Sequence, residues 1–430
     1  MEGGYRSLVI ARFLGHANKN HEDDVESTTI YLGKIQVMLS SLSFIEFLNR
    51  ILNCSQHICD AHDDTIDWLG LLAIAQKQAI AGVYWHGIQN LGQGDDNQLT
   101  EDEVLEWISE YERISKRNRL VYKKAAWVCK NFQAEGFRAC ILKGQGNALM
   151  YPDKMARVSG DIDVWLWPTA EDGKTLATLT QRQRRKRILD YVRQFDKKAR
   201  MRYHHVDFDI IKDVPVEVHF FPISMNNPWA NRRLQRWFDE QASAQFGHQV
   251  DFTLPKEGSS GMDAPNDSVG ERLGFNCPTN GFNLIYQMLH ILHHFFDEGI
   301  GLRQLIDYYY LLQQELTTKE KADAVRMFER LHVLDFARAV MYVEQEILGL
   351  DSVYLLLEPD KKRGKVLMEE IIQGGNFGKD FTFSRAHTGK KYFAKIARNI
   401  RLVRMCPIEA LWEPVFRTWH FFWRMYARTL

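Results

Sequence analysis

The spacing of apolar residues changes character twice along the chain. From about 35 to 130 they recur at helical intervals, as in SFIEFLNRILN, WLGLLAIAQKQAIAGVYW and EDEVLEWISEYERISKRNRLVYKKAAWVCKNF. The polar stretch LGQGDDNQLTEDE reads as a loop, and Thr100 with acidic residues after it predicts a capped helix start. Near 136 the period shortens. FRACILKG is a short β-branched and apolar run, GNALMY resumes helical spacing, and GDIDVWLW, HHVDFDII and VPVEVHFF alternate as half-buried strands do. Between them EDGKTLATLTQRQRRKRILDYVRQFDKKARM predicts a basic amphipathic helix. NPWANRRLQRWFDEQASAQ returns to helical spacing, KEGSSGMDAPNDSVGERLG has the Gly, Ser, Pro and Asp content of a loop, and helices follow NCPTN to the end.

These textures divide the chain into an N-terminal extension over 1–30, a helical domain over 31–130, a mixed sheet-and-helix domain over 131–255, a linker over 256–275 and a C-terminal helical domain over 276–430. The expected fold class is α+β: a small mixed sheet with helices, flanked by helical N- and C-terminal domains. A length of 430 residues accommodates this, and 45% apolar residues build a core without disulfide or metal staples. Lys plus Arg balance Asp plus Glu at 55 each, which disfavours a long nucleic-acid partner. Cys54, Cys59, Cys129, Cys140, Cys277 and Cys406 lack zinc-site spacing and read as reduced thiols. No signal peptide and no run of about 18 apolar residues is present, so a cytoplasmic location is expected.

The chemistry centres on Gly160-Asp161-Ile162-Asp163. Residues two apart on a strand share a face, so Asp161 and Asp163 project together while Ile162, Val164 and Leu166 face the core. Two carboxylates this close repel unless a cation or proton lies between them, and oxygen-only ligands suit magnesium, with manganese as the alternative. A third carboxylate on a neighbouring strand lets two metals flank a phosphoryl group. Glu217 is that candidate: it is the one acid in VPVEVHFF, with His219 on its face. An unpaired acid there would be costly, and an ion pair with Arg157 is the alternative. Upstream, Leu142-Lys143-Gly144-Gln145-Gly146 closes a strand and opens a helix, where backbone N–H groups can approach a phosphate, with Lys143 and Arg157 as neutralising cations. The Lys-Ser/Thr tail of a P-loop is lacking.

LKGQGNALMYPDKMARVSGDIDVWL, YHHVDFDIIKDVPVEVHFFP and HILHHFFDEGIGLRQLIDYYYLL together resemble the uncharacterised bacterial nucleotidyltransferase family of the DNA polymerase beta superfamily, Bacteroides-type members especially, over roughly 135–315. The resemblance implies a polymerase-beta-like nucleotidyltransferase sheet in 131–255. It implies that Gly144 and Gln145 lie at the phosphates of a nucleoside triphosphate, that Asp161 and Asp163 bind metal, and that Glu217 completes the set. Gln145 stands where serine is common. Gly146, Gly160, Lys143 and Arg157 are counted with the nucleotide site. The acceptor is not implied.

Other residues keep two readings each. Asp207 and Asp209 share a face with His205 and form either a rival metal pair or the lining of an acceptor pocket. His204, His205 and His219 either orient a substrate or bond within the sheet. His290, His293 and His294 share one helix face and serve the core, a substrate or, without any HExxH pattern, zinc. Arg303 and Asp307 are spaced for a local ion pair, and the resemblance adds a binding role. The run Arg182, Arg184, Arg185, Lys186, Arg187 is a solvated face or an attractor of an anionic acceptor, and WEPVFRTWHFFWRMYARTL closes a helical domain or lies on a membrane surface. Three functions follow: transfer to a small molecule or sugar, which the neutral charge favours; toxin-type transfer to tRNA or protein; and a non-catalytic nucleotide-binding or scaffold module.

Overall fold

A computed structural model of the chain describes residues 44–53, 66–90, 99–208, 211–255, 270–297, 299–374 and 397–428. The N-terminal extension, Cys54, Cys59, Asp209 and residues 256–269 of the expected linker lie outside them. Two short helices, α1 (Trp68–Lys77) and α2 (Ala81–Asn90), precede the long α3 (Glu101–Ala134). Thr100 and Glu103 close a reciprocal capping box at the start of α3, and Glu101, Asp102 and Glu103 set negative charge in its first turn. Such a cap stabilises the helix by about 1 kcal/mol. Gly136, with φ at +79°, ends the helix and turns the chain into the sheet, a conformation open to glycine and costly for other residues.

The sheet then assembles as β1 (Phe137–Ile141), the short α4 (Gln145–Ala148), β2 (Ile162–Pro168), α5 (Gln181–Phe195), β3 (His205–Asp207) and β4 (Val216–His219). Strand order is β1-β2-β4-β3, with β2 and β4 parallel and the outer pairs antiparallel. On one face Ile162, Val164 and Leu166 of β2, Val216 and Val218 of β4 and Val206 of β3 pack with Val121, Ala125 and Phe132 of α3 and Ile188 and Val192 of α5. Each fully buried aliphatic side chain contributes about 1.5–3 kcal/mol. A one-residue slip of β2 would put Asp163 into that core, so burial sets the register that the site depends on.

The remaining elements are α6 (Pro228–Gly247), the hairpin β5 (Gln249–Pro255) and β6 (Gly270–Asn276), then α7 (Asn280–Asp297), α8 (Leu302–Leu312), α9 (Thr318–Arg330), α10 (Leu334–Glu346), α11 (Lys361–Gly374) and α12 (Pro407–Arg428). On the second face of the sheet, Trp165 packs against Phe238 and Phe246 of α6 and Phe282 of α7. Residues Ile45–Leu430 hold together as one unit by their contacts.

Three expectations from the pattern differ from the structure. Residues 270–275, expected as linker, belong to β6, paired throughout with β5; their apolar Leu273 and Phe275 pack on the core. The basic helix begins only at Gln181, because a Thr180–Gln183 capping box fixes its start and Asp172 folds the preceding segment by accepting from Lys174 and Thr175 N–H. The helical spacing of GNALMY yields four residues of helix, Gln145–Ala148.

Candidate active site

Strand pairing delivers the acids to one place. Asp163 of β2 is the register partner of Glu217 on β4, and Glu217 is the partner of Asp207 on β3. Partners across a ladder share a face, so three carboxylates line up across three strands. Asp161 precedes β2, where the bond from Ile162 N–H to Pro215 C=O starts the parallel pairing. Asp163 is only 2% exposed, whereas Asp161 and Glu217 are half-buried.

Cationic groups are held among them. Lys143 Nζ lies 3.2 Å from Asp163 Oδ1 and donates to His290 Nε2 at 3.1 Å. His219 Nε2 donates to the same Asp163 Oδ1 at 3.0 Å and lies 3.7 Å from Glu217 Oε2. Burial opposes ionisation of Asp163, but Lys143 and His219 outweigh it and hold the carboxyl well below the ordinary range. Burial likewise disfavours the His219 cation, and its bonds to Asp163 and Glu217 overcome this and push it up to about 9. Asp161 moves the other way, raised by repulsion from Asp163 and then by burial. One carboxyl of the pair is therefore held ionised while its neighbour resists ionisation.

The acids open into a cavity of about 1160 Å³. Lys143, Gly144, Arg157, Gly160, Asp161, Asp163 and Glu217 line it, as do His204, His205, His219, His290, His293, His294 and Arg303. The structure thus brings together most of the candidates drawn from the sequence. Gly144 has φ at +65°, which bends the chain sharply after β1 and turns its backbone to the cavity. Asp207 lies beside Glu217 but is not among the lining residues.

Several candidates make contacts within the fold that their pattern did not show. Gln145, expected at the phosphates, is 1% exposed, and its Nε2 donates to Ser159 Oγ at 3.0 Å. Gly146 allows close packing instead: a Cβ there would stand 3.2 Å from that of Cys277. With only four residues, α4 brings little macrodipole to a phosphate. Arg157 lines the cavity, yet both arms of its guanidinium engage Asp307, Nε on Oδ1 and Nη2 on Oδ2 at 2.7 Å each. It is not the partner of Glu217, which faces His219 and His205. Asp307 reaches across the fold to Arg157, Tyr151 and Asn147, while Arg303 Nη1 donates to Val158 C=O at 3.1 Å. Burial, then the nearby Arg157, lowers Arg303 to about 10. His290 accepts from Lys143 and stands 3.0 Å from His294 Nε2, and burial followed by Lys143 keeps it well below the ordinary range.

The basic run is only partly a solvated face. Arg184 pairs with Asp239 at 2.5 Å and stacks on Trp167. Arg185 donates to the carbonyls of Arg202 and Tyr203 and lies over Phe220 and Trp423. What the sequence reading missed is the wall from α12: Glu413, Arg417, His420 and Arg424 all line the cavity. Their spacing of four, three and four residues marks one helix face, and that stripe was available as a signal. Trp419, Phe421, Phe422 and Met425 of α12 are exposed, and no helix among the described residues is long and apolar enough to cross a membrane.

A family model described as uncharacterised nucleotidyltransferase matches residues 64–349. No curated protein and no solved structure matches the chain. The matched span holds β1 through α10, and with them Lys143, Asp161, Asp163, Glu217 and the α7 histidines. The chain belongs to this uncharacterised nucleotidyltransferase family.

Proposed function

We propose that this member of the uncharacterised nucleotidyltransferase family moves a nucleoside monophosphate from a nucleoside triphosphate to a hydroxyl or phosphate of an acceptor held in the cavity. The observation that carries the reading is the alignment of Asp163 with Glu217 on parallel neighbours, with Asp161 at the strand entrance, all facing one cavity. The donor set fits a hard divalent cation. It is built of carboxylates, Asp161 resists ionisation beside Asp163, and Lys143 lies against Asp163 where positive charge is needed. Magnesium or manganese held by Asp161, Asp163 and Glu217 would supply charge neutralisation at the transferring phosphoryl group.

The chain's own groups position the reactants. Lys143 and the Gly144 turn face the triphosphate, and His219 fixes the Asp163 carboxylate through its 3.0 Å bond. The acceptor oxygen bonds to the α-phosphorus as the bond to pyrophosphate breaks, and most of the acceleration comes from alignment and preset charge. Arg157 and Asp307 brace the segment that carries Asp161.

A small-molecule or sugar acceptor is favoured over RNA or protein. The cavity is walled by helices α7, α8 and α12, and Arg184 and Arg185 of the basic run are engaged within the fold. The test incubates the protein with each α-labelled triphosphate, magnesium and cell extract, beside Asp161→Asn and Asp163→Asn. Label on a small molecule from wild type alone supports the reading, and label on RNA or protein moves the acceptor class. Wild-type turnover by Asp161→Asn refutes the metal assignment, and no transfer together with no magnesium-dependent nucleotide binding leaves a scaffold.

A further inference from the structure

We propose that His205, Asp207 and Glu217 form a site for a borderline transition-metal cation of the zinc class, beside the all-oxygen set of Asp161 and Asp163. One ligand atom from each of the three lies within 4.8 Å of the others. Pairing of β3 with β4 puts them there: Asp207 is opposite Glu217, and His205 lies two residues before Asp207 on the same face.

His205 is 7% exposed, and neither ring nitrogen makes a hydrogen bond. A buried polar atom left so is costly to the fold. Carboxylates stand close without relieving it: Nδ1 is 3.4 Å from Glu217 Oε2, and Nε2 is 3.6 Å from Asp207 Oδ1. Both separations exceed the distance of about 2.7–2.9 Å of a close charge-assisted bond, so the ring stands between the two acids without a short bond to either. The two short approaches come from opposite ring nitrogens, and one ligand atom from each of the three residues still falls within 4.8 Å of the others, close enough to gather on one ion. One nitrogen of the ring serves the ion and the other keeps an outer contact.

Chemistry selects the ion. Imidazole suits zinc, cobalt or nickel, whereas magnesium prefers oxygen and gives up its water reluctantly. Three protein ligands leave a coordination position open, and His205 and Glu217 both line the cavity. The inference goes beyond nucleotidyl transfer and shares only Glu217 with it.

The probe is cobalt(II), titrated into the full, chelator-stripped chain in a large excess of magnesium and read by its visible ligand-field bands. One equivalent should bind with tetrahedral-type absorption, displaced by zinc and not by magnesium. His205→Ala should weaken binding at least about tenfold, while Asp161→Asn leaves it unchanged. His205→Gln replaces the alanine variant if circular dichroism shows that the latter does not fold. Absence of the bands in wild type, displacement by magnesium, or wild-type affinity in the folded His205 variant overturns the proposal. Cobalt binding without nucleotidyl transfer counts against the transfer reading alone, and transfer without cobalt binding counts against this one alone.

Discussion

Asp307→Asn isolates the charge that ties α8 to the loop before β2. The Arg157 and Asp307 side chains are each 6% exposed, and their two parallel bonds measure 2.7 Å. Oδ1 also accepts from Tyr151 Oη at 2.6 Å, and Oδ2 from Asn147 Nδ2 at 3.1 Å. Burial opposes the Asp307 charge, and Arg157 with its hydrogen bonds outweighs this to lower the carboxyl from its ordinary value. An asparagine keeps the shape but must turn its NH2 toward one of these donor pairs, whichever way it flips. Two hydrogen bonds are lost, and a guanidinium remains buried without its counter-charge. Breaking a buried pair from one side costs about 3–5 kcal/mol.

Urea unfolding followed by tryptophan fluorescence reads that loss directly. The double variant Arg157→Met/Asp307→Leu should be less destabilised than Asp307→Asn, because both charges leave together. Transfer should fall about a hundredfold even where Asp307→Asn stays folded, since Arg157 lies four residues before Asp161 and a shift of about 1 Å can cost that much. A stability loss below about 1 kcal/mol, or a double variant worse than the single, would refute the bracing role.

Three further changes test other parts of the fold. Gly144→Ala should lower stability by at least about 1–2 kcal/mol: φ is +65° while Asp161 O lies 3.7 Å from the added Cβ, so strain rather than collision acts, and a variant as thermostable as wild type refutes it. Glu409 is pushed up to about 7 by burial, which exceeds the opposing bonds from Asn226 and Asn227 N–H. Its folded value is above the unfolded one, so its contribution is full below about pH 4.5 and is lost as pH rises through about 7, a change of about 3 kcal/mol. Glu409→Gln should flatten that slope in denaturation curves at pH 4.5 and 8, and an unchanged slope assigns it elsewhere. Arg185→Met removes two carbonyl contacts and the cation over Phe220 and Trp423, each at 4.7 Å. Hydrogen exchange should then show weaker protection in α12, by about 2 kcal/mol, and unaltered exchange would separate α12 from this clasp.

Legibility followed the range of the interactions. Period-two alternation located β2 and β4, and i, i+2 geometry placed Asp161 and Asp163 together before any pairing was known. The partnership of Asp163 with Glu217 needed the parallel register, which no local pattern encodes, although the isolated acid in an apolar strand marked Glu217 as the residue to watch. Arg157 and Asp307 are 150 positions apart. From sequence Asp307 had Arg303 at helical spacing and Arg157 was set against Glu217 or a phosphate, so nothing local showed that they would meet. Gly146 illustrates the same limit: a glycine can answer to a phosphate or to Cys277, and only the packing distinguishes them. For Arg184 and Arg185, neither reading, a solvated face or an attractor of an anionic acceptor, reveals Asp239 or the aromatic rings beneath them.

Strand β2 joins the aromatic packing of the sheet to the acids of the cavity. Trp165 and Trp167 lie in its later part, and Trp165 is clamped by Phe246 and Phe282, while Asp163 lies near its start and Asp161 just before it. One continuous ladder of backbone bonds carries both, so the aromatic clamp fixes the acids along the strand without touching them. The cation Lys143 approaches from the turn after β1 and the histidines from α7, while the Arg157–Asp307 bond ties α8 to the loop before β2. Only the α12 wall, Glu413 to Arg424, lies beyond the matched residues 64–349. The residues proposed for transfer therefore lie in the part that the family model matches. The wall that would touch the acceptor is built outside it, which is where a search for acceptor specificity should begin.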